Sequence, residues 1–316
     1  MRIKVAILCT AALSTASLGG CKKKGTGGGG GWLVGSSGLM VNVDPRGHAE
    51  PYEIGPTETL NGIACRYQAE AWVVGANGTL LYTADGGQTW AAQNLGTTAN
   101  LRSLATQDAG PVFIGGDGVF MTSIPDYVSG KATWTQLGDG VASFRSIAAA
   151  QRGQTVLAIS DGGGVWSYEA GSLVQRTTLD GMRAVAVSPD GEIAIAAGAG
   201  LQRSLDGGKT WNPLAVDASL RFEDIRIDDE GNAVAVGEAG IVARIDNEGR
   251  VLTQHVGTAN LHTLHISEGD DYTTTGYAAG DGGQIWLTKD AGWSWQMGPN
   301  VGKTVLGVDE IGAGHR

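Results

Sequence analysis

The chain repeats itself. An apolar, strand-forming segment recurs as WLVG at Trp32, WVVG at Trp72, VFIGG at Val112, TVLAI at Thr155, IAIAAG at Ile193, AVAVG at Ala233 and TTGYAAG at Thr274, a spacing of about forty residues. Each copy runs into a glycine-containing turn, where positive φ suits glycine and asparagine and closes a two-stranded hairpin. A second segment keeps step with the first: LNGIACRY at Leu60, LRSLATQ at Leu101, FRSIAAA at Phe144, MRAVAVS at Met182, FEDIRID at Phe222, LHTLHIS at Leu261 and VLGVDEI at Val305. One complete unit, Ala71 to Gly110, holds four strand candidates, the content of one propeller blade. The expected fold is all-β, a seven-bladed β-propeller of four-stranded antiparallel blades. Because the chain opens on a hairpin strand at Trp32 and ends on a lone apolar strand, Val305 to Ile311 is expected as the innermost strand of blade one, which removes a free edge.

Ahead of the repeats, Arg2 and Lys4 precede an apolar run from Val5 to Leu13 and then small residues, the pattern of an export signal over 1–20. That run is too short to span a bilayer. Leu18-Gly19-Gly20-Cys21 resembles the lipobox of bacterial lipoproteins, which implies a diacylglycerol on Cys21 and anchorage to a membrane. Residues 21–31 then form a tether leading to a propeller over 32–316. Lys22, Lys23 and Lys24 either attract anionic lipid or merely space the domain from it. The glycine-rich stretch Gly25 to Gly31 reaches roughly 15 Å as a flexible coil. By the enterobacterial sorting pattern, Lys22 rather than Asp after the cysteine favours the outer membrane over the inner.

With Arg2 and Lys4 gone, the chain keeps 20 Lys and Arg against 32 Asp and Glu. Such a balance opposes attraction to nucleic acid. Cys65 has no partner for an intrachain disulfide once Cys21 is acylated, and reads as a small buried hydrophobe.

Three segments, TADGGQTW (Thr83 to Trp90), SLDGGKTW (Ser204 to Trp211) and TKDAGWSW (Thr288 to Trp295), resemble the BNR or Asp-box repeat. Its Asp accepts bonds from turn amides, its glycine takes unusual φ, and its tryptophan packs between blades. Asp85, Trp90, Asp206, Trp211, Asp290 and Trp295 are therefore read as structural, with no catalytic part. VNVDPRG at Val41 and SIPDYVSGKATW at Ser123 read as decayed or interrupted copies. Together with the VGxxG hairpin, these segments resemble the YCF48-like photosystem II assembly and stability factors, and more distantly the sortilin and sialidase propellers. The resemblance spans Trp32 to Ile311 and implies fold more than function, because one propeller serves many purposes.

Aligning the recurring second segment on its first apolar residue puts Asn61, Arg102, Arg145, Arg183, Glu223, His262 and Leu306 in one register. Three successive blades thus offer arginine, whose fork suits a carboxylate or phosphate. The resemblance likewise implies an arginine patch on one face. Ion pairing with neighbours such as Glu223 is the reading that asks least of these residues. His262 and His265 are expected on opposite faces of their strand, which argues against a metal. Asp117, Asp161 and Asp281 occupy equivalent turns and read as turn formers rather than calcium ligands. No phosphate-binding loop, GxSxG or HExxH motif is present, so neither cofactor nor metal is expected.

The reading that follows is a non-catalytic envelope lipoprotein, a monomeric propeller that binds a protein or polysaccharide partner, with Arg102, Arg145, Arg183, Glu223 and His262 as the candidate surface. The alternative is a sialidase-like or other glycoside hydrolase, opposed by the seven repeats, by the lack of an Arg-Ile-Pro segment and by the want of a convincing Tyr/Glu pair. A third possibility is assembly of an envelope or electron-transfer complex.

Overall fold

The recurring apolar segment is hydrophobic at every position rather than at alternate ones, and a strand of that kind must be covered on both faces. A computed structural model, describing residues 30–66, 69–108, 110–126, 131–137, 142–268 and 274–311, shows how. Seven four-stranded antiparallel sheets stand around an axis, and that strand is second from the centre in each. The seven second strands are Gly30–Gly35, Glu70–Gly75, Val112–Gly116, Val156–Ser160, Ala194–Gly198, Ala233–Gly237 and Thr274–Gly280. Each is sandwiched between neighbouring blades, so Val73, Val74, Phe113, Ile114, Ile195 and Ala196 are all fully buried.

The inner strands are Leu60–Arg66, Leu101–Thr106, Phe144–Ala149, Met182–Val187, Phe222–Ile227, Leu261–Glu268 and Val305–Ile311. Each touches the inner strands of the blades on either side, and the last touches the first, so the ring is closed. Closure follows the expected route: Val305–Ile311 pairs antiparallel with Gly30–Gly35, matching Gly30 with Ile311 and Trp32 with Asp309. The first described strand starts two residues before Trp32. The signal, Cys21 and the tether up to residue 29 lie outside the described residues, whereas Gly30 and Gly31, expected in the tether, are paired in this strand.

Buried apolar side chains fall into seven clusters, one at each blade interface. The residue after the first paired position of each second strand reaches across the gap. Trp32 packs with Leu81 and Trp90 of blade two, Trp72 with Leu101 and Ile114 of blade three, and Tyr277 with Leu33 and Val41 of blade one. Glycine ends the second strand in six blades, with Ser160 in blade four, and the preference has a steric reason. At Gly35 and Gly280, both in extended backbone, a Cβ would fall on the carbonyl of Thr304 or Asn260, which leads into the inner strand.

Blade three departs from the Asp-box pattern: its third strand runs on to Val119–Asp126 and pairs with Lys131–Gln136. Cys65 is partly rather than fully buried, against the Trp32 and Leu60 cluster. No helix among the described residues is long and apolar enough to cross a membrane.

Candidate functional site

Arg102, Arg145 and Arg183 sit on inner strands, and the backbone itself aims them. In every blade the pairing of inner with second strand skips one residue, and the skipped residues are Asn61, Arg102, Arg145, Arg183, Glu223, His262 and Leu306. A bulge of this kind bends the strand and turns its extra side chain away from the regular pleat. All seven line one cavity of about 120 Å³ at the end of the channel where the inner strands begin, here called the upper mouth. Just beyond the bulges, hydroxyls and a carboxylate stitch neighbouring blades. Ser103 accepts the Ile147 N–H at 3.0 Å, Ser146 that of Val185 at 3.1 Å, Asp224 that of Leu264 at 2.9 Å and Thr263 that of Val308 at 3.1 Å.

The arginines do not stand alone. Asp117, Asp161, Glu238 and Asp281 follow their second strands directly, and their N–H groups donate to the carbonyls of Asn100, Ser143, Arg221 and Asn260. That turn places each carboxylate over the mouth. Arg102 lies between Asp117 and Asp161, 3.0 Å from the latter, and Arg145 Nε is 2.5 Å from Asp161. Arg183 pairs with Glu223 and lies 3.8 Å from Glu238, while His262 Nε2 is 2.8 Å from Asp281. Three guanidinium groups therefore meet four carboxylates, and His262 meets a fifth. The arginine side chains are 32%, 46% and 40% exposed, so these pairs are solvent-screened and each contributes only about 0–1 kcal/mol.

The lower end of the channel has other chemistry. A cavity of about 240 Å³ is lined by Cys65, Arg226, His265, Asp309 and Glu310, among others. Asp309 accepts the Cys65 N–H at 2.7 Å and meets His265 Nδ1 at 2.8 Å. Burial pushes the Asp309 carboxyl up, but the bond and charge of His265 overcome it and leave the group below its usual range. The Cys65 thiol is pushed well up by burial and then by Asp309 and Glu310, which suppresses the thiolate that nucleophilic chemistry needs. His262 and His265 thus serve opposite ends of the channel. Among the described residues, no group of three or more His, Cys, Asp or Glu side chains is placed to hold a metal ion.

The three Asp-box-like turns lie on the lower rim and share one geometry. The Thr83, Ser204 or Thr288 hydroxyl meets the Asp85, Asp206 or Asp290 carboxylate and accepts the N–H of Gly87, Gly208 or Gly292. The same carboxylates accept the N–H and hydroxyl of Thr89, Thr210 or Ser294 at 2.6–2.9 Å. Bonds from Thr210 hold Asp206 far below the ordinary carboxylate range, and those from Thr89 and Ser294 lower Asp85 and Asp290 against a desolvation that opposes them. With their oxygens committed to the turn, these aspartates are locked in place. Trp90 is buried edge-on to Trp32, and the Trp211 and Trp295 indoles donate to Gly208 and Gly292 carbonyls.

A further concavity was not legible in the repeats: a groove of about 890 Å³ between blades four and five. Leu157, Ser167, Glu169, Arg176, Asp190 and Asp206 are among its lining residues.

Comparison with solved structures adds to this geometry. The chain superposes on YCF48 bound to D1 peptide with a TM-score of 0.61 and 22% identity, covering 80% of this chain and 85% of that one. The fold resembles that of YCF48. The protein of that name from Cyanidioschyzon merolae gives a TM-score of 0.59 at 18% identity, covering 78% of this chain and 87% of the other. No protein-family model and no curated protein matches the sequence. At these identities the likeness to YCF48 carries the architecture, and the site rests on the residues described above.

Proposed function

We propose that the protein is a non-catalytic lipoprotein of the cell envelope, held by lipid on Cys21 in the outer membrane, whose propeller binds a protein or polysaccharide partner at the upper mouth. The observation that carries this reading is the set of bulged residues on successive blades, Arg102, Arg145, Arg183, Glu223 and His262, aimed into one solvent-open rim. Guanidinium forks in such a place can exchange an internal carboxylate for an external one at little cost, because the internal pairs are weak. Orientation supports it as well. Gly30 pairs with Ile311, the last described residue of the closing strand, so the chain enters the domain at the lower end. A lipid-held propeller then turns its upper mouth away from the bilayer. A YCF48 structure of the same fold holds a D1 peptide, which favours a polypeptide as the class of partner.

The test is capture of crosslinked partners from intact cells with the full-length lipoprotein and with the Arg102→Ala/Arg145→Ala/Arg183→Ala variant. The expected result is loss of a discrete partner with an unchanged melting curve. Equal capture by a folded variant rejects the upper mouth as the binding surface.

A further inference from the structure

Among the described residues, five large apolar side chains are strongly exposed, and three of them, Leu252, Trp293 and Met297, belong to the outer lower rim of blades six and seven. Leu252 is 61% exposed, Trp293 58% and Met297 68%, values that place most of each side chain in water. Their placement is fixed by the fold. Leu252 is the cross-strand partner of Arg244, and the Arg244 guanidinium lies 4.2 Å from the centre of the Trp293 ring. Gln254, two residues along the same outer strand, donates to the Gly292 and Trp293 carbonyls at 3.2 Å. Trp293 therefore occupies the variable position of an Asp-box-like turn that is bonded to both blades, and it is held outward on a rigid support. Met297 follows on the outer strand of blade seven and pairs with Trp286, which packs into the interface with blade six. Arg244 and the exposed Lys289 supply positive charge at the edge of the patch, while Asp290 is committed to its turn and Asp246 to Arg250.

We propose that this rim rests on the headgroup region of the bilayer that holds the lipid anchor. The inference rests on the anchored-lipoprotein reading and deepens it. Blade seven adjoins blade one, where the chain enters at Gly30 on the lower end, and the Asp-box-like turn carrying Trp293 is on that same end. Only eight residues separate Gly30 from Cys21, a reach of roughly 15 Å for a flexible coil. An apolar rim so close to an acylated cysteine faces lipid before it faces anything else. Tryptophan beside arginine and lysine is also the chemistry that settles at a membrane interface: the ring meets the acyl boundary and the cations meet phosphate.

The experiment uses the full-length chain in vesicles of phosphatidylcholine, with and without bromine on the acyl chains, and reads tryptophan fluorescence. Brominated lipid should quench a fraction near one of the nine tryptophans, and Trp293→Phe should remove that quenching while Leu252→Ala reduces it. Equal quenching in Trp293→Phe, or none in the acylated wild type, overturns the inference, as does a concentration-dependent dimer that hides the patch. Acylation is read separately, by labelled palmitate on the wild type and on Cys21→Ser. An unlabelled wild type sinks the anchor reading, whereas a labelled chain without Trp293-dependent quenching sinks the rim contact alone.

Discussion

Removing Val305–Arg316 takes the inner strand out of blade one and opens the ring. Val305 and Val308 are fully buried, and burial of a valine is worth about 1.5–3 kcal/mol. Loss of the two side chains alone costs about 3–6 kcal/mol. The backbone pairing with Gly30–Gly35 goes with them, at about 0.5–1.5 kcal/mol net for each hydrogen bond. So does Asp309, which ties the strand to Cys65 in blade two and His265 in blade seven. Together these losses approach the ~5–15 kcal/mol that holds an ordinary domain folded. The truncated chain should be insoluble or melt without a cooperative transition. A graded version, Val305→Ala/Val308→Ala, removes about 3 kcal/mol and should lower Tm by at least ~6 °C at about 2 °C per kcal/mol, followed by circular dichroism and size-exclusion chromatography. A truncated protein that stays monomeric and melts within a few degrees of the full chain would refute the closure argument.

Further expectations follow from the same geometry. Carboxylates lowered in the fold stabilise it above their unfolded pKa, and that stability is lost as pH falls through the lowered folded value. Tm should therefore drop below about pH 4, and Asp206→Asn or Asp290→Asn should flatten that acid limb while lowering Tm at pH 7. Gly75→Ala should cost several degrees of Tm, because its Cβ would fall on the Thr59 carbonyl at the head of an inner strand. A Tm unchanged by this substitution contradicts the steric account. Cys65 should resist thiol reagents at pH 8 until the protein unfolds, given a thiol pushed up by burial and two carboxylates; rapid labelling of the native chain would show otherwise.

Strand order, closure and the register of the mouth could be read before any coordinates, because seven inner segments share a phase and one misaligned residue would turn a side chain to the wrong face. Bulges explain why that alignment found the channel: Arg102, Arg145 and Arg183 are each the extra residue at the same place in a blade. What escaped was the layer above them. Asp161 lies 59 positions from Arg102 and only 16 from Arg145, and one turn carboxylate serves two blades because the ring, not the sequence, makes them neighbours. Asp117, Asp161 and Asp281 were legible as equivalent turn residues; that Glu238 joins them, and that the set faces the arginines, was not. The groove between blades four and five escaped for a different reason: its lining comes from separate strands and turns of neighbouring blades, which no repeat motif brings together.

A photocrosslinking amino acid placed at Leu306, in the mouth but outside the ion pairs, tests the functional claim most directly when the full-length lipoprotein is irradiated in intact cells. Leu306 should give a discrete adduct with one partner, and the same probe at Val174, on the outer strand of blade four, should not. No adduct at Leu306, or the same adducts from both positions, would contradict a binding surface at the upper mouth.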